Sequence, residues 1–411
     1  MRGRPMLYTR YEADQALMNT GTKKVMLGVF FLILALVPLG ILPGFRFLAQ
    51  NDWLRLLSEV AIFAVGALGL NILTGLAGQV SLGHAFFMGV GAYTAAWLGA
   101  APGPFMGLGL PIWIWLPAAG IVAALIGLIV GPTAVRVRGL YLAFVTLGLV
   151  FVGEYVFRNW NSLTGGSQAG RTFPNFEVRL WKEEEPVIDF FTEGQWFGID
   201  LTGRAKAYYF LVLVAIVFVL LAKNLQRTRV GRAFQSIRDR DIAAEIMGVN
   251  EFRYKLLAFG ISSFYAGIAG ALFAVFVGRV IPEQWNLFLS VEFIAIILIG
   301  GAGVVTGTIL GAIFVVILPR VVEDFTHWLA GVAQGGSGPF SWLADLFVST
   351  GLGDFGFVNT QAGVAPGLSI AQINLVIYGL LIIGFLIFEP LGLYGIWLRI
   401  RNYWKGWPFT Y

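Results

Sequence analysis

Residues Lys223–Lys255 read KNLQRTRVGRAFQSIRDRDIAAEIMGVNEFRYK, a charged island between two apolar runs long enough to cross a bilayer. The island holds Lys223, Arg227, Arg229, Arg232, Arg238, Arg240, Arg253 and Lys255. Loops of this size rich in Lys and Arg stay on the cytoplasmic side. That placement orients every other segment. From Arg232 to Met247 there is no Pro and no Gly, and Gly248 is a natural helix stop. Phe234, Ile237, Ala244 and Met247 recur at helical spacing, which predicts one apolar and one charged face. A second helical piece is expected from Glu251. Two readings are open: a solvated loop that only obeys the charge rule, or a helix that docks a cytoplasmic partner.

The rest of the chain supports the membrane setting. Of 411 residues, 57% are apolar and 12% charged, with 53 glycines, so the class is an all-α polytopic membrane protein. Cysteine is absent and His84 and His327 are the only histidines. This excludes disulfides, thiolate metal sites, Fe–S clusters and a His-rich metal site. The net charge of +5 is explained by cytoplasmic loops rather than by nucleic-acid binding. No Gly-Lys pair occurs, so there is no Walker-type phosphate loop. Nothing resembles a nucleophile elbow or a metal box, and an enzyme is not expected; nor is a cofactor bound by this chain.

At roughly 20 apolar residues per span, about ten transmembrane helices with Gly-rich breaks are expected. They run at about 25–42, 54–73, 85–100, 111–130, 139–157, 207–222, 256–278, 291–299, 304–318 and 373–388. The apolar run from Val25 is too long for a signal peptide and lacks a small-residue cleavage site, so a retained first helix with an inside N-terminus is expected. The organisation is then a cytoplasmic tail over 1–24, a permeating domain over 25–390, and a cytoplasmic tail over 391–411. With Arg2, Arg4, Arg10, Lys23, Lys24, Arg136, Arg138, the island, Arg399, Arg401 and Lys405 inside, that side holds 18 of the 28 basic residues. Two long segments, 159–206 and 321–372, fall outside; the first carries Glu183-Glu184-Glu185. Each is either an insertion without a direct role or a contact surface for an extracytoplasmic partner.

Small residues follow helical spacing at Gly303, Gly307 and Gly311, and at Ala266, Gly270, Ala274 and Gly278. Such ladders predict close helix packing, within the chain or to a second subunit. The second and third spans and the eighth and ninth share one plan, apolar run, Gly-rich break, apolar run, which suggests a repeat with broken helices meeting near the midplane. Between the second and third spans, Gln79, Ser81 and His84 bring hydrogen-bonding groups to membrane depth. They are either helix–helix glue or the wall of a translocation pathway. Of the few intramembrane acids, Glu154 has Arg158 one turn later, a surface pair, while Glu59 and Glu292 form no evident ion relay.

Ala243-Ala244, three residues, then Gly248 resembles the coupling loop of ABC-importer permeases. The run IRDRDIAAEIMGVNEFRYKLLAF with Ala266–Leu272, the run GLAGQVSLGHAFFMGVGAYTAA, Val135–Ala143, Ser162–Ser167 and Gly300–Gly303 together resemble the branched-chain amino-acid permease family, LivM type, with urea permeases as relatives. The resemblance covers most of the chain from about Leu56 to Pro390. Ile242 stands where the general coupling motif has Glu, and no Ile-x-Leu-Pro ending follows. The resemblance implies an ABC-importer permease fold in a prokaryotic inner membrane. It implies a second permease subunit, two ATP-binding subunits and an extracytoplasmic solute-binding protein as partners, with ATP used by those partners. It places Arg238, Asp239, Asp241, Ala243, Ala244 and Gly248 at the ATPase contact, and branched-chain or related small amino acids in the pathway. A stand-alone secondary carrier or channel for a small polar solute, such as urea or an amide, is the other reading.

Overall fold

In the computed structural model the described residues are 21–41, 46–102, 107–135, 140–166, 170–179, 188–196, 199–335, 348–349, 358–359, 368–389 and 391–406. Arg2, Arg4, Arg10, the Arg136–Arg138 loop and the Glu183–Glu185 run lie outside them. The main helices are α1 (Gly21–Leu36), α2 (Asn51–Leu70, continued by a π turn over Asn71–Leu76), α3 (His84–Gly99), α4 (Ile112–Val135) and α5 (Leu140–Asn159). They continue with α6 (Gly203–Arg227), α7 (Arg229–Asp239), α8 (Asp241–Ile246) and α9 (Glu251–Val277). Last come α10 (Leu287–Gly300), α11 (Val305–Gly335), α12 (Ile370–Phe388) and α13 (Gly392–Gly406).

Among the described residues, seven of the expected spans are long and apolar enough to cross a membrane, by length and composition. The first, third and tenth are shorter apolar helices. Helix starts follow the local chemistry. Thr202, Asn250, Asn286 and Ser369 each accept a backbone N–H from the first turn of α6, α9, α10 and α12, satisfying donors that have no intrahelical partner.

α2 and α9 form the centre. Phe63 stacks on Phe293 at 5.0 Å and meets Phe273 edge-on at 5.7 Å. The small-residue ladder of α9 is used inside the chain. A Cβ at Gly270 would lie 1.9 Å from the Met88 carbonyl oxygen, so backbone touches backbone. Gly307 and Gly311 likewise meet Gly300 and Ile296 across the α10–α11 pair. α4 packs on α9, where a Cβ at Gly267 would lie 2.6 Å from the Ala119 carbonyl oxygen, while α4, α5 and α6 expose Ile129, Phe144, Phe151 and Leu213 on their other faces.

The ninth span is longer than expected. α11 does not stop near Leu318 but continues through Pro319 to Gly335, 31 residues or about 46 Å. That exceeds a hydrocarbon core of about 30 Å, so its end leaves the bilayer. The extension carries Arg320–Asp324 (3.2 Å) and Glu323–His327 (4.0 Å) one turn apart, which support an exposed helix. The segment before α6 folds as a cap: two short strand pairs, Glu177–Val178 with Ile188–Asp189 and Gly194–Trp196 with Ile199–Leu201, set Phe176 and Phe190 against Trp115 and Ala119.

Candidate functional site

The charged island folds into a knob at one end of the bundle. Thr228 caps α7 by accepting from Gly231 N (3.3 Å). The expected single helix over Arg232–Met247 is two. Arg240 is extended (φ −156°, ψ 98°), and α8 restarts at Asp241, whose carboxylate accepts from Ile242 N (2.9 Å) at the positive end of the new helix. Gly248 ends α8 with φ 84°, a conformation that disfavours any Cβ, and Asn250 caps α9 two residues later.

The knob stands on the bundle through Phe234, Ile237 and Ala244, all buried; Phe234 meets Tyr254 edge-on at 6.3 Å. Met247 does not share that face as its spacing suggests: α8 ends at Ile246, and Met247 is the cap residue beyond it (φ −81°, ψ 8°). Met247 is 83% exposed, and Ile246 and Ile242 are 81% and 66% exposed beside it. Ala243, Asp239 and Gly248 are also on the outside.

Under the knob, two glycine-rich breaks meet. The π turn after α2 places Asn71 so that its side-chain oxygen accepts from Gly303 N (2.7 Å), 232 residues away. A Cβ at Gly75 would lie 2.3 Å from that same Gly303 nitrogen, so no other residue type fits without displacement. Gln226, at the end of α6, donates to Gly303 O (3.2 Å). Arg238 reaches in from α7: its Nη1 donates to Gly75 O (2.8 Å), and its stem lies on Gly78. The same guanidinium pairs with Asp239 (3.0 Å). Arg238 is thus a physical link between the knob and both breaks, not simply a surface charge. The sequence suggested that the two broken segments meet; it offered no sign of Arg238 between them. Asn71, an amide inside an apolar run, was the one signal available for the junction.

Beyond Gly78 the chain re-enters the bundle without regular structure, and its polar groups are answered by side chains. Leu82 N donates to Thr146 Oγ1 (2.9 Å), and Ala85 N, in the first turn of α3, donates to Ser290 Oγ (3.0 Å). Irregular backbone at this depth persists only where protein satisfies it. Gln79, Ser81 and His84 are all buried here. Ser81 Oγ accepts from Gly83 N (3.2 Å), and the His84 ring lies 4.8 Å from that of Phe293. Both side-chain amide atoms of Gln79 are buried without a hydrogen-bond partner among the described residues. Glu154 and Arg158 form the expected surface pair at 2.8 Å.

The site therefore has a solvent-facing apolar tip, a charged link and a pair of breaks in contact. Arg238 joins the knob to the breaks that follow α2 and α10. Comparison with known proteins gives the family. A model of the branched-chain amino acid transport system permease component matches residues 53–388. The high-affinity branched-chain amino acid transport system permease protein LivM of Salmonella typhimurium is 34% identical over 294 residues, 69% of this chain and 66% of that protein. LivM of Escherichia coli matches to the same extent. The autoinducer 2 import system permease protein LsrC of Escherichia coli is 27% identical over 318 residues, 73% of this chain and 82% of that protein. No solved structure matches the chain. The chain is a multi-pass membrane protein, and it belongs to the family of branched-chain amino acid transport system permease components.

Proposed function

We propose that the chain is the membrane-spanning permease subunit of an ATP-driven importer for branched-chain or related small aliphatic amino acids. The reading is carried by the tip of the knob: Ile242, Ile246 and Met247 are exposed together on a charged element that stands clear of the lipid-covered surface. An exposed apolar patch rimmed by charge marks a protein contact. One of two ATP-binding subunits docks there, and those subunits use ATP; this chain binds none. A second permease subunit completes the pathway, and a solute-binding protein delivers solute on the far side. The knob, both termini and residues 1–24 and 391–411 are cytoplasmic, and 159–206 and 321–372 face outward, in a prokaryotic inner membrane. The names of the relatives and the charge bias of the sequence support this arrangement.

Mechanically, movement of α8 by the ATPases shifts α7, and Arg238 carries that shift to Gly75 and, through Asn71, to Gly303. Gln79, Ser81 and His84 lie on the segment that follows the first break and respond to the same shift. The test is Gly248→Trp in the reconstituted importer. The glycine has open space around it but a φ of 84°, so the substitution distorts the end of α8 without a core clash. Membrane insertion is expected to persist while ATP-driven uptake is lost. Unchanged uptake would remove the knob from the coupling path. Uptake that follows an ion gradient and ignores ATP would favour the carrier reading.

A further inference from the structure

The end of the bundle opposite the knob holds a cavity of about 460 Å³, within the usual size range of small-molecule sites. The first turns of α2, the last turns of α9, the start of α10 and the middle of α11 enclose it. Arg55 and Glu59, one turn apart on α2, face it together with Glu292 from α10. The Arg55 guanidinium lies 5.3 Å from the ring centroid of Phe276. Other charged groups of the wall have partners: Arg320 is paired with Asp324, and Glu323 faces His327. Glu59 and Glu292 make no hydrogen bond or ion pair with any described residue. Carboxylates held in transmembrane helices are costly and mark a solute path. Phe273, Phe276 and Val316 give the cavity an apolar wall.

We infer that this cavity is a transit site for a zwitterionic amino acid with an aliphatic side chain. The solute ammonium lies toward Glu59 and Glu292, its carboxylate toward Arg55, and its side chain against Phe273, Phe276 and Val316. A simple cation would meet the Arg55 charge, and an anion the two carboxylates; only a solute with both charges is matched at both ends. The site is weak, because a solute in transit must also leave. The assignment rests on the importer reading for the direction of travel, and its test is separate from that reading.

The chain has no cysteine, so one introduced thiol is its only one. Leu56→Cys places it on the cavity wall, and Val316→Cys is a second probe should the first not assemble. Membranes holding the permease–ATPase assembly, washed free of solute-binding protein, are labelled with a membrane-impermeant maleimide. L-leucine at about four times its Kd leaves about a fifth of the sites open, so labelling slows about fivefold. Leucinamide, which lacks the carboxylate, and 4-methylpentanoate, which lacks the ammonium, should each protect far less. Arg55→Gln or Glu292→Gln in the same background should abolish protection by L-leucine while labelling continues. The assignment is overturned if neither thiol labels, if L-leucine gives no protection, if leucinamide or 4-methylpentanoate protects equally, or if protection survives both substitutions. Protection by L-leucine in membranes whose uptake ignores ATP would instead overturn the importer reading and leave the cavity assignment standing.

Discussion

The two ends of the central bundle contrast sharply, although α2, α9, α10 and α11 contribute to both. At the knob end, backbones touch: Gly75 meets Gly303, and Arg238, Asn71 and Gln226 bond the two breaks together. At the other end the same helices part around a cavity faced by Arg55, Glu59 and Glu292. Side-chain size explains the difference. Glycines line the closed end and aromatic and charged residues the open end, so the helices approach at one end and are held apart at the other. In the proposed orientation this is a permease chain closed toward the ATPases and open toward the source of solute.

The largest expected effect tests the close packing on which that contrast depends. Gly270→Leu would drive a side chain into the Met88 carbonyl, costing about 3 kcal/mol. A lowered unfolding midpoint in detergent is the expected result; a midpoint equal to that of the native chain would mean α3 and α9 are not in backbone contact. Next comes Arg238→Gln, which removes a charge-assisted bond to Gly75 worth about 1.5–3 kcal/mol. Uptake per ATP hydrolysed should fall about tenfold to a hundredfold, by the usual 1.4 kcal/mol per decade. The assembly should remain intact, as gel filtration can check. A fall in ATPase retention with normal coupling would move Arg238 to the partner contact instead.

Met247→Ser addresses only the surface of the knob. The side chain is 83% exposed, so stability should change by less than about 0.5 kcal/mol. Co-purification of the ATPase subunits should nonetheless weaken; undiminished recovery would place the docking surface elsewhere. The smallest effect is expected for Arg158→Gln. It removes exposed pairs with Glu154 (2.8 Å) and Glu283 (3.6 Å), each worth about 0–1 kcal/mol. Uptake should be unchanged. A marked loss would mean that these exposed pairs contribute as much as Glu59 and Glu292.

Several features were legible before any coordinates. The stop at Gly248 and the second helix from Glu251 were placed correctly, because a left-handed helix end is local chemistry. The break at Arg240 was not legible, since nothing in Arg232–Met247 forbids a continuous helix by composition. The pairing of Glu154 with Arg158 followed from spacing, whereas the shared cavity of Glu59 and Glu292 joins helices far apart in the chain. The carboxylates therefore read as isolated.

By itself the sequence determined the membrane class, most of the apolar helices and the position of the charged knob. Hydropathy, charge bias and helix punctuation are written in neighbouring residues and survive without knowledge of packing. Only the tertiary structure decided that Arg238 serves the interior as well as the surface, that the breaks at Gly75 and Gly303 are one junction, and that two carboxylates share a cavity with Arg55. Each of those facts depends on which helices lie side by side. Helix contacts in a bilayer are set by small-residue fit and by polar groups that must find one another, often hundreds of residues apart.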